Sequence, residues 1–92
     1  MLNLSEKDLN IIKLILSNYP YQFYAFGSRV KGKQKRYSDL DLCYKDDIPD
    51  AVISKIYEEF EESNLPFKVE LLNWNRCDPD FQKSIEKDLI KI

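Results

Sequence analysis

"FGSRVKGKQKRYSDLDL", residues 26–42, places a Gly-Ser step, five basic side chains and two aspartates one residue apart in a single segment. Its end alternates through Tyr44, so Leu40, Leu42 and Tyr44 share one face of a strand while Asp39, Asp41 and Cys43 share the other. The two carboxylates then point the same way, with Cβ atoms roughly 6–7 Å apart. Ionised aspartates that close repel each other, and burying them is costly unless a cation intervenes. Hard divalent cations take oxygen ligands, and Mg²⁺ accepts one or two protein carboxylates while phosphate oxygens complete its shell. The pair therefore suits a Mg²⁺-nucleotide site. Read alone, it also describes the solvated face of an edge strand.

The residues upstream supply the other half of such a site. "YQFYAF", residues 21–26, is an aromatic, strand-favouring run. Gly27-Ser28 directly after it permits a tight turn that presents backbone N–H groups and a hydroxyl to an anion. Arg29 carries a fork of donors suited to a phosphate. The bland alternatives are a plain turn at Gly27-Ser28 and a solvated loop for Arg29, Lys31, Lys33, Lys35 and Arg36. Phosphate binding does not need five cations, so part of the run fits that description.

Helical patterns flank the segment. "SEKD" predicts a first helix, with Ser5 as cap and Asp8 returning the hydrogen bond, and Leu9, Ile12 and Leu16 recur on one stripe widened by Ile11 and Ile15. Pro20 closes it. A second helix fits Pro49 to about Ser63, burying Val52, Ile53, Ile56, Tyr57 and Phe60. "FKVELLNW" reads as a third strand and "DPDFQKSIEKDLI" as a last helix, capped by Asp78 with Pro79 at its first position. The order α-β-β-α-β-α implies a small mixed sheet covered by helices, an α/β (α+β) fold over residues 1–92 as one domain. The orientation of the second strand against the third stays open.

Composition removes several function classes. With 92 residues and an apolar fraction of 43%, the chain can build a modest core. It has no histidine, which excludes Ser-His-Asp and Cys-His nucleophiles and His-based zinc sites. Cys43 and Cys77 form no framework and read as reduced core residues. The formal charge of −2, with basic residues gathered in one loop, argues against direct nucleic-acid binding. No apolar run reaches the roughly 18 residues a membrane span needs, and the N-terminus lacks a signal-peptide pattern. A soluble, cytoplasmic protein is expected. Trp74 reads as a rim or core aromatic, and the tyrosines as rings packed with their hydroxyls outward.

Phe26-Gly27-Ser28, the spaced Gly32, and Ser38-Asp39-Leu40-Asp41-Leu42 together resemble the nucleotidyltransferase superfamily that includes DNA polymerase β. With Arg29 included, they look like its minimal branch. The resemblance implies that Asp39 and Asp41 are catalytic metal ligands. It implies that Gly27, Ser28, Arg29 and Ser38 bind the nucleotide, ATP or another NTP. The third acid would be Glu70 in "KVELL", a departure from the commoner Asp. A solvated strand glutamate is the plain alternative there. Two Mg²⁺ ions would serve in-line attack of an acceptor hydroxyl on the α-phosphate. The minimal branch is commonly paired with a helical HEPN-type ribonuclease, which it neutralises by adenylylating a tyrosine or simply by covering it. Leu89, Ile90 and Ile92 are the expected contact patch for such a partner.

Overall fold

The computed structural model describes residues 2–92. Ser5 caps α1 (Glu6–Leu16), its side chain accepting a hydrogen bond from the Asp8 N–H, and the helix buries Ile12 and Leu16. The chain then enters β1 (Tyr24–Phe26) and, at Gly27, turns directly into a single helical turn, α2 (Ser28–Lys31). A loop leads to β2 (Leu40–Tyr44), followed by α3 (Asp50–Glu61) and β3 (Val69–Asn73). A 3-10 turn at Trp74–Arg76 precedes α4 (Pro79–Glu86), and the chain closes with β4 (Ile90–Lys91). The expected α/β fold is present, with α2 and β4 as elements the sequence pattern did not announce.

The sheet order is β3-β2-β1-β4. Strands β1 and β2 are antiparallel, as are β1 and β4, while β2 and β3 run parallel. That settles the open orientation: α3 is a crossover of the length parallel strands require. Alternation along β2 sends Leu40, Leu42 and Tyr44 into a core with Ile12, Leu16, Ile56 and Phe60, between the sheet and helices α1 and α3. The opposite face is only partly covered. There Phe26, Cys43 and Ile85 of α4 form a smaller cluster, with Tyr24, Leu72, Trp74 and Leu89 packed around it. Trp74 is thus a packing residue, and Lys45 Nζ sits 4.9 Å from its ring centre. Cys43 is fully buried, and burial pushes its thiol up to about 11, which leaves it unreactive at neutral pH. Both cysteines are free.

Two expectations need correction. The last helix stops at Glu86, and Ile90 belongs to a strand paired to Ala25. "IKI" alternates with the period of a strand, and pairing it to β1 covers an otherwise open sheet edge. Leu89 and Ile92 pack, partly buried, against the second and first clusters respectively, so these residues help close the fold. Tyrosine hydroxyls are also less uniformly outward than expected. The Tyr57 hydroxyl donates to the Leu71 carbonyl at 3.2 Å and accepts from its N–H at 2.8 Å. Among the described residues, no helix is long and apolar enough to cross a membrane.

Candidate active site

Asp41 lies between Phe26 of β1 and Glu70 of β3 in the sheet register, and Asp39 precedes it on the same face. Asp39 and Glu70 are exposed, whereas Asp41 is half-buried. Burial raises the Asp41 carboxyl above its ordinary value, and the charges of Asp39 and Glu70 push it in the same direction. The three carboxylates therefore feel one another. As placed, no three acidic or cysteine side chains among the described residues are gathered tightly enough to hold a metal ion. The donor chemistry nevertheless fits a hard divalent cation, because a cation would offset both the burial and the neighbouring charges that raise Asp41. Asp39 and Glu70, being exposed, have room to turn toward it.

Gly27 joins this row to the turn. Its φ of 84° and ψ of −155° lie in a region that only glycine occupies readily. A Cβ built on it would stand 2.4 Å from Oδ2 of Asp41. The bare Cα is thus the surface against which the carboxylate packs. Ser28 starts α2 immediately afterwards, and the first N–H groups of a helix lack intrahelical partners. The turn at Gly27 and the Asp41 carboxylate consequently meet at one point.

A comparison with protein-family models matches residues 10–92 to the family described as polymerase beta, nucleotidyltransferase. The chain belongs to that family. It is 41% identical over 95 residues to a protein named probable protein adenylyltransferase MntA from Haemophilus influenzae, covering 99% of this chain and 83% of the relative. Its fold is similar to a chain in a crystal structure of a toxin-antitoxin with AMP-PNP. The TM-score is 0.66 at 23% identity, over 89% of this chain and 69% of the other.

Within this nucleotidyltransferase fold, the five cations of the loop have separate fates. Arg29 is buried, and its guanidinium donates to the carbonyls of Ser38 at 3.0 Å, Asn3 at 3.2 Å and Arg36 at 3.2 Å. The Phe67 ring lies 4.1 Å from its carbon. Three of its five N–H donors are thereby spent on the protein and the side chain is only 6% exposed, so little of the guanidinium is left to meet a phosphate. Lys31 approaches Asp88 at 3.9 Å, a surface pair of small worth. Lys33, Lys35 and Arg36 are exposed. The Ser38 hydroxyl accepts from the Lys35 N–H at 2.7 Å, closing the turn that leads into Asp39.

Asn3 and Phe67 were not singled out by their sequence context, yet both hold Arg29 in place. Asn3 Nδ2 returns a hydrogen bond of 2.7 Å to the Arg29 carbonyl. Neither residue sits in a recognisable motif, and only the long-range contact reveals them. Arg29→Ala should cost about 3 kcal/mol or more, since it strands three carbonyls and removes a charged donor. Arg29→Lys keeps the charge but not the fork, and should recover only part of the loss. Urea unfolding of both variants against the parent chain measures this directly.

Proposed function

We propose that this nucleotidyltransferase moves AMP from ATP to a protein hydroxyl, a tyrosine of a HEPN-type helical partner, and so acts as an antitoxin. The observation that carries the reading is the contact between the Gly27 Cα and the Asp41 carboxylate, which brings the phosphate-holding turn against the acid row. The relative named as a protein adenylyltransferase supports AMP and a protein acceptor. The toxin-antitoxin neighbour crystallised with AMP-PNP is consistent with an antitoxin of this fold.

In this reading Asp39 and Asp41 would hold Mg²⁺ with the triphosphate, and Glu70 would join them in holding a second Mg²⁺ for the acceptor. Bound there, the ions would neutralise phosphate charge and lower the pKa of the attacking hydroxyl. The Gly27-Ser28 turn grips the triphosphate and orients the pyrophosphate that leaves. Arg29 and Ser38 act from behind, fixing the backbone that aims Asp39. The exposed Glu70 lies one strand beyond Asp41, on the side opposite the turn.

Co-expression with a helical partner followed by intact mass tests the reading. A gain of one adenylate on the partner, dependent on ATP, is expected. A stable complex whose partner is inhibited yet carries no added mass would instead make the chain a cover that works by binding alone. Glu70→Gln separates the roles within the site. Turnover should fall on the order of 10²-fold while ATP affinity changes less than about threefold, because the side chain serves the acceptor and not the nucleotide. Unchanged turnover would return Glu70 to an ordinary solvated position.

A further inference from the structure

Beside β3, on the far side of the acid row from Gly27-Ser28, lies a groove of about 700 Å³. Asp39 and Glu70 line it together with the aromatic walls of Tyr37 and Phe67, with Tyr57, and with the exposed Glu61 at the end of α3. The walls are held from behind. The Tyr57 hydroxyl is tied to the Leu71 backbone, and the Arg29 guanidinium lies over the Phe67 ring. Tyr37, by contrast, is 62% exposed, with the Arg36 guanidinium 5.3 Å from its ring centre. Binding surfaces fixed in advance lose less entropy when filled.

We infer that this groove receives the acceptor: a polypeptide segment in which the reacting hydroxyl is flanked by Lys or Arg. The inference rests on the proposed transfer to a protein hydroxyl and adds where that protein docks and which residues select it. In-line displacement requires the nucleophile and the leaving group on opposite sides of the phosphorus. With pyrophosphate leaving over the Gly27-Ser28 turn, the hydroxyl must arrive from the β3 side, where the groove opens. The charge of its lining selects the kind of segment. Asp39, Glu61 and Glu70 face a single cation, Lys68. Such a surface repels acidic segments and attracts basic ones, while aromatic walls accept the ring of a tyrosine. The neutral base of the nucleotide gains nothing from an acidic lining.

The test needs no turnover. Amide chemical shifts of the full chain would be followed during titration with capped Lys-Arg-Tyr-Arg-Lys, with capped Asp-Glu-Tyr-Glu-Asp, and with Mg²⁺-AMP-PNP. The basic peptide should move Tyr37, Glu61, Phe67 and Lys68, and the acidic peptide should move none of them. Glu61→Lys, at the end of α3, should weaken the basic peptide about fivefold or more while AMP-PNP affinity stays within about twofold. Equal response to both peptides, no response to either, or AMP-PNP filling the groove would each overturn the inference. If adenylate transfer were absent but the basic peptide still bound in the groove, the proposed reaction would fall and the docking site would stand.

Discussion

Replacing Asp39 and Asp41 together by Asn should abolish transfer, by roughly 10³-fold or more, and leave the metal-free chain as stable as the parent or more so. The loss follows from what the pair supplies, since charge stabilisation of several kcal/mol in the transition state corresponds to that factor in rate. The stability gain follows from Asp41. Its carboxyl is raised by burial first, then by Asp39 and Glu70, so the ionised form is disfavoured in the folded state. Between the unfolded and the raised folded pKa the native chain binds more protons than the unfolded chain, and stability falls as pH rises through that window. At neutral pH the parent has paid this cost in full and the Asn variant has not. In acid, below the ordinary carboxylate value, the difference should vanish. Thermal melts of both chains across pH, with and without Mg²⁺, check the sign. Added Mg²⁺ should stabilise the parent and do little for the variant. Transfer surviving in the double variant would remove the acid row from the mechanism.

Much of the fold around the acids was legible because it depends on short-range patterns. Alternation from Asp39 to Tyr44 determines which side chains share a face, and the structure places Leu40 and Leu42 in the core opposite the acids. Helix caps at Ser5 and Asp78 follow from local hydrogen bonding, and both form. What was not legible depends on contacts far apart in the chain. Arg29 reads as a phosphate ligand beside Gly-Ser, because sequence shows its donors but not the carbonyls of Asn3, Arg36 and Ser38 that receive them. The C-terminal residues read as the end of an amphipathic helix. Only the open edge of β1 makes a strand of Ile90–Lys91 favourable, and that edge exists only after β1 and β2 have paired. The groove beside β3 is likewise a product of the parallel crossover, which the sequence left undecided.

Gly27→Ala should reduce transfer by on the order of 10²-fold even if the chain folds, and Gly32→Ala should not. Both glycines have positive φ, 84° and 72°, so both substitutions strain the backbone. Gly32 sits in the left-handed region that ends α2, where alanine costs about 1–2 kcal/mol, and a Cβ there meets only Asn3 Nδ2 at 3.8 Å. Gly27 carries a second penalty of a different kind. Its Cβ would lie 2.4 Å from Oδ2 and 3.3 Å from Cγ of Asp41, distances at which something must move. Either the carboxylate swings away from the turn or the turn lifts from the sheet. In both cases the acid and the turn proposed to hold the phosphates separate by about an ångström, and misplacement of that size can cost about 100-fold in a positioned reaction. Loss of stability alone does not separate the two roles, since backbone strain destabilises both variants. Turnover at saturating ATP, measured at a temperature where both remain folded, does. Similar modest losses in both would mean that the approach of Asp41 to Gly27 is incidental. A collapse confined to Gly27→Ala would mean that the missing side chain is itself part of the site, because only glycine lets the Asp41 carboxylate touch the turn.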